Sequence, residues 1–123
     1  MIYTLTLNPS IDCDVRVKKI VSGMTNRADS ESFTAGGKGR NVSIVLKALG
    51  IVSTALGFTA GFTGEEIERQ LEEKGIVTDF VRLAEGSSRI NIKIHTENES
   101  EINAPGPDVS KESFAELLKK WQP

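Results

Sequence analysis

The chain has 123 residues, room for one ordinary domain around one core. Charged residues make up 26% and hydrophobic residues 38%, a globular balance that excludes a disordered chain. With 15 basic and 17 acidic side chains the net charge is -2, so no broad field favours nucleic acid or an anionic membrane, and any anion site must be local. Cys13 is the single cysteine, which excludes an intrachain disulfide and suits a reducing, cytoplasmic setting. The start MIYTLTLNPSID lacks the basic and apolar regions of a signal peptide, and no apolar run nears the roughly 20 residues of a membrane helix.

Ile2 to Leu7 alternates β-branched and apolar residues and stops at Asn8-Pro9, which predicts a strand running into a loop. CDVRVKKI then alternates Val15 and Val17 with charged neighbours, the pattern of an antiparallel strand covered on one side. Arg27 to Phe33 reads as a weaker second strand after the Ser22-Gly23 turn. Val42, Val45, Leu46 and Leu49 fall at i, i+3, i+4 and i+7, predicting the inner face of a helix closed by Gly50. Ser53 to Phe58 is a short strand. TGEE predicts a capping box, with Thr63 as N-cap and Glu66 three residues on, for a helix with Ile67 and Leu71 inward and Gly75 at its end. Phe80 to Leu83 is the next strand, so strand and helix alternate as in a parallel α/β sheet. RINIKIH puts Ile90, Ile92 and Ile94 on one face, and ENES turns it back into EINA, so the one-sided strands are expected to form a small second sheet. After Pro105-Gly106-Pro107, Ser110 caps a helix whose inner face is Phe114, Leu117, Leu118 and Trp121, with Val109 and Phe114 as a hydrophobic staple.

TAGGKGRN, from Thr34 to Asn41, is a glycine-rich basic turn ahead of a helix. The first backbone N–H groups of a helix lack partners and carry the positive end of its dipole, so an anion site is one reading, with Lys38 or Arg40 adding charge. A tight turn feeding a helix is the other reading. Neither standard nucleotide motif fits. A P-loop needs Ser or Thr after its lysine, and here Gly39 follows Lys38; a dinucleotide fingerprint begun at Gly37 needs a glycine where Val42 stands. Asp12 lies just past the first strand, where open α/β sheets bind ligands. It is placed either to accept hydrogen bonds from substrate hydroxyls or to satisfy a turn backbone.

TLNPSID, AGGKGRNVS, LGFTAGFTGE, SRINIKI and EINAPGP, in this order and spacing, resemble the N-terminal part of the 1-phosphofructokinases, ribokinase-like sugar kinases of the PfkB type. The resemblance covers essentially all 123 residues. It implies the N-terminal part of a ribokinase-like α/β fold, a mostly parallel sheet with flanking helices and a β-lid built from about residues 12–34 and 89–104. It implies that Asp12 and Asn41 bind sugar hydroxyls, that Gly36, Gly37, Lys38 and Gly39 shape the sugar pocket, and that Arg27 and Arg89 contact the substrate phosphate, with Lys38 as a further phosphate contact. Arginine's fork matches phosphate oxygens, which suits these roles. Arg40 departs from the apolar residue often found after GGKG in the family.

The implied reaction is ATP-dependent phosphorylation of fructose 1-phosphate at its 6-hydroxyl to give fructose 1,6-bisphosphate. Tagatose-6-phosphate kinase shares LNPS and GGKG and is the sibling reading; a non-catalytic sugar-phosphate-binding or lid-dimerisation module is the reading outside enzymes. The family's catalytic aspartate sits in a GAGD motif, which does not occur in this chain, so no catalytic residue and no metal ligand is expected here. ATP and Mg2+ belong to the full-length family enzyme, with no strong binding expected in these 123 residues. NESE, Asn98 to Glu101, matches the family's NxxE pattern but lies in a hairpin turn, a chance match. His95 and Cys13 read as structural. The expectation is a truncated kinase, inactive alone and marginally stable or self-associating, whose lid could pair with that of a second copy.

Overall fold

The computed structural model describes residues 1–121. The order is β1 (Ile2–Thr6), β2 (Ser10–Arg16), β3 (Ser30–Gly36), α1 (Lys38–Ala48), β4 (Ser53–Ala60), α2 (Gly61–Glu73), β5 (Val77–Thr78), β6 (Val81–Leu83), β7 (Arg89–His95), β8 (Glu99–Ile102) and α3 (Lys111–Lys120). Two sheets result. In the main sheet β4 is central and runs parallel to β1, β5 and β6. The second sheet has the order β3-β2-β7-β8, with β2 antiparallel to β3, β2 parallel to β7, and β7 antiparallel to β8.

β4 is buried along nearly its whole length because it is covered on both faces, as parallel strands are. Ala55 faces a cluster with Ile67 and Leu71 of α2, together with Ile76 and Phe80. Leu56 and Phe58 face the other way, onto Val81 and Leu117 of α3. Phe114 of α3 stacks on Phe58 with ring centroids 6.4 Å apart. Glu68 of α2, nearly buried, accepts from Thr59 Oγ1 at 3.0 Å and pairs with Arg82 at 2.8 Å, so its charge is not left alone in the core.

Four local expectations are corrected. The α1 stripe Val42, Val45 and Leu49 faces outward; Gly39 and Ser43 face the sheet instead. Ser43 and Thr4 hydroxyls lie 2.6 Å apart, so small residues let the helix lie close against β1. Thr63 is not an N-cap. The helix starts at Gly61, and the Thr63 hydroxyl, buried in the first turn, donates to Ser88 O at 2.7 Å. Glu66 bonds Arg69 and Gln70 on its own helix rather than closing a capping box. Arg27 precedes β3 in an exposed loop. On α3, Leu117 is buried while Phe114, Leu118 and Trp121 are about half exposed. Ser110 does cap α3, accepting from Ser113 N at 3.1 Å.

The second sheet has one apolar and one polar face, as the alternation predicts, but the burial is uneven. At its base Ile11 and Ala35 join the core against α2. Farther out, the row Phe33, Cys13, Ile92 and Ile102 crosses all four strands in register. Of these, Phe33 is 53% and Ile102 60% exposed, while Asn91 on the polar face is only 7% exposed.

Candidate functional site

The polar face of the second sheet meets the glycine turn at the base of β2. There Ser10 pairs with Gly36 on one side and with Arg89 on the other. Asp12, two residues on, shares that face. Its Oδ1 accepts from Ser10 Oγ at 2.8 Å. Its Oδ2 lies over Gly36, where an added Cβ would sit 2.5 Å away. A side chain at Gly36 would therefore displace the carboxylate from this position.

The other glycines answer to the end of β1, both the Thr6 side chain and the Leu5 carbonyl. A Cβ on Gly37, the N-cap of α1 at φ 133, would lie 2.7 Å from Thr6 Cγ2. A Cβ on Gly39 would lie 2.7 Å from Leu5 O. The turn is glycine-rich because the start of α1 presses on the end of β1. Lys38 and Asn41 stand exposed on the first turn of that helix, beside the Asp12 corner. Arg40 Nη1 donates to Asn41 Oδ1 at 3.0 Å, while Arg40 Nε is buried without a partner among the described residues. That bond leaves the Asn41 amide N–H groups as the outward donors.

Arg89 is held from behind. Its Nε donates to Asn8 O at 3.0 Å, which holds one side of the guanidinium and leaves its terminal NH2 groups without a hydrogen bond among the described residues. Asn8 in turn donates to Pro105 O at 2.9 Å. Asn91 Oδ1 accepts from Ala104 N at 3.2 Å, tying the same loop to the Asp12 row. Asn8, Ser10 and Asn91 were not legible as site residues from the sequence: Asn8 and Asn91 find partners far along the chain, and Ser10 gains its place by holding Asp12.

The structure thus brings Asp12, Gly36, Gly37, Lys38, Gly39, Asn41 and Arg89 to one corner, at the carboxyl end of β1 and the N-terminus of α1. It does not bring Arg27 there. Arg27 lies beyond the Arg16–Ser30 end of the second sheet, and the four-residue rise from Asp12 to Arg16 alone spans roughly 13 Å. His95 sits on the polar face, its Nε2 2.7 Å from Asp14 Oδ1 and its Nδ1 3.4 Å from Glu99 Oε1, where it ties β2, β7 and β8. Burial, with help from Glu31 and Asp14, pushes the Cys13 thiol up from its ordinary value, so it is not poised as a thiolate. Asn98 to Glu101 lies in the β7–β8 turn and β8; the turn is closed by Thr96 N donating to Asn98 O and Asn98 N donating to Thr96 Oγ1.

Residues 4–123 match the pfkB family carbohydrate kinases. This chain belongs to that family. A 1-phosphofructokinase of Borreliella burgdorferi is 52% identical over 120 residues, covering 97% of this chain and 38% of the relative. A D-tagatose-1-phosphate kinase of Bacillus licheniformis is 46% identical over 120 residues, 98% of this chain and 39% of the relative. The crystal structure of phosphofructokinase-2 from Escherichia coli in complex with fructose-6-phosphate superposes with a TM-score of 0.86 at 30% identity, over 97% of this chain and 40% of that one. The pfkB-family chain described here therefore spans about two fifths of the length of the relatives it matches, and its α/β architecture is the N-terminal part of a ribokinase-like fold.

Proposed function

We propose that this chain supplies the acceptor-sugar side of a sugar-phosphate kinase. In the complete enzyme the reaction is transfer of the terminal phosphate of ATP to the 6-hydroxyl of fructose 1-phosphate. The observation that carries the reading is the corner where Asp12, pinned by Ser10 and given room by Gly36, shares a sheet face with Arg89. Asp12 accepts hydrogen bonds from sugar hydroxyls, Asn41 donates to a sugar oxygen, and Arg89 with Lys38 holds the phosphate already on the substrate. Arg27, at the far end of the second sheet, is left out of this set. The names of relatives at 46–52% identity support the substrate class.

The second sheet acts as a lid, with its polar face over the sugar. Closure would exclude water from phosphoryl transfer, which works by positioning and electrostatic stabilisation. Its open apolar row, Phe33, Cys13, Ile92 and Ile102, is the face through which two copies pair as a homodimer. Among the described residues no three His, Cys, Asp or Glu side chains gather as a metal-ligand set. On this reading ATP and Mg2+ belong to the rest of the complete enzyme. Alone, the 123 residues bind acceptor without turning it over. No helix among the described residues is long and apolar enough to cross a membrane, and a cytoplasmic sugar-metabolic role goes with the proposal.

The D-tagatose-1-phosphate kinase relative keeps a second substrate in view, since that sugar is likewise a ketohexose 1-phosphate. Isothermal titration of the chain with fructose 1-phosphate, tagatose 1-phosphate and ATP tests the reading. Heat with one or both sugar phosphates and none with ATP is expected. Binding of ATP alone, or turnover in a coupled assay at an intact kinase's rate, overturns it.

A further inference from the structure

The polar face of the second sheet carries more charge than the proposed ligand contacts use. In the register, Lys93 of β7 stands directly between Asp14 of β2 and Glu101 of β8. Asp14 is already taken by His95 at 2.7 Å. Lys93 leans along the diagonal instead, its Nζ 3.6 Å from Asp12 Oδ2 and 4.0 Å from Glu101 Oε1. Diagonal neighbours on a sheet face are within reach of a long side chain.

Neither separation is that of a hydrogen bond. The ammonium therefore acts on Asp12 as a charge and not as a fixed donor, as suits a compact, mobile lysine head. Orientation of the Asp12 carboxylate is set elsewhere, by Ser10 at Oδ1 and by the bare Gly36 beneath Oδ2. What Lys93 adds is neutralisation. A carboxylate that receives sugar hydroxyls repels a ligand that arrives with a phosphate already attached, unless a cation stands beside it. Lys93 is half-buried, with a 35% exposed side chain, so solvent screens it only in part.

We propose that Lys93 is a specificity-determining positioning residue: by cancelling the Asp12 charge it lets an anionic, phosphorylated sugar present a hydroxyl to that carboxylate. The inference rests on the sugar-phosphate reading of the Asp12–Arg89 corner. It acts through Asp12, so its effect disappears when the Asp12 charge is removed.

The test is an NMR shift titration of the 123-residue chain with fructose 1-phosphate and, separately, inorganic phosphate. The variants are Lys93→Met, Lys93→Arg and Asp12→Asn/Lys93→Met. At low salt Lys93→Met weakens both ligands about tenfold, and the loss shrinks at about 0.5 M salt as the charges are screened. Lys93→Arg keeps binding within about threefold, because the charge is retained. The double variant, with both charges gone, recovers inorganic phosphate binding to within about twofold of wild type. No loss in Lys93→Met, or an undiminished loss of phosphate binding in the double variant, overturns the role of Lys93 while leaving the sugar-phosphate reading standing. A wild-type chain that shows no response to fructose 1-phosphate overturns that reading and this inference with it.

Discussion

The two sheets of this chain spend their side chains differently. The main sheet buries its central strand on both faces, and β4 reads as a near-continuous run of small and apolar residues. The second sheet buries only its base, with Ile11 and Ala35 against α2 on one face and Ser10 and Asn91 covered on the other, and leaves much of its outer part exposed. Burial is therefore concentrated in the first sheet, and the proposed recognition falls to the second. A position's burial, more than its hydrophobicity, says which of these roles it serves: Leu56 is 1% exposed and Ile92 36% exposed, though both are aliphatic strand residues.

That contrast is most sharply broken by core truncation. Leu56→Ala is expected to cost about 2–5 kcal/mol in urea unfolding, whereas Ile92→Ala costs less than about 1 kcal/mol. Equal losses would mean that the second sheet carries as much of the fold as the first. Gly36→Ala comes next. Its Cβ must push against Asp12 Oδ2, so about 1–3 kcal/mol of stability is lost together with fructose 1-phosphate binding. Retained binding in a stable Gly36→Ala chain would show that Asp12 does not need its observed position. Phe33→Glu is expected to move stability by less than about 0.5 kcal/mol, because the side chain is 53% exposed. It should nonetheless shift sedimentation from dimer toward monomer, and a dimer that persists would take the apolar row out of the interface.

The smallest effect is electrostatic and lies on α2. Hydrogen bonds from Arg69, then Gln70, hold the Glu66 carboxyl down at about 2, from an ordinary 4.5. A depressed folded value means that the contribution is present above the unfolded pKa and is lost as pH falls through the folded one. Glu66→Gln should therefore flatten the acid side of the stability curve between about pH 4.5 and 2, its loss being fully present at neutrality and gone at the acid end. The pair is exposed, so the change is small. An identical acid slope in both chains would show that the Arg69 contact is not kept in solution.

Much of the fold was legible because local patterns and global packing agree. The alternation in Ile2 to Leu7 and in RINIKIH gave β1 and β7, and Ile67 with Leu71 marked the buried face of α2. The α1 stripe failed for a physical reason. Val42, Val45 and Leu49 have helical spacing, yet Gly39 and Ser43 on the other side let the helix approach β1 more closely. The Thr63 capping box failed because the Thr63 hydroxyl finds Ser88 O, 25 residues away, which no local pattern shows. Within the candidate site, Asp12 and the glycines stood out by type, while Ser10, Asn8, Asn91 and Lys93 became visible only as partners.

By itself the sequence determined the kind of elements, their order and the family's motifs, because periodicity, turn residues and spacing are properties of the chain. Only the tertiary structure decided which apolar stripes are covered, why Gly36, Gly37 and Gly39 are glycines, and that Arg89 shares the sheet face of Asp12 while Arg27 stands beyond the far end of that sheet. Those are contacts between segments far apart in the chain, such as Arg89 with Asn8 across 81 residues, and their energies depend on distances that spacing along the chain does not fix.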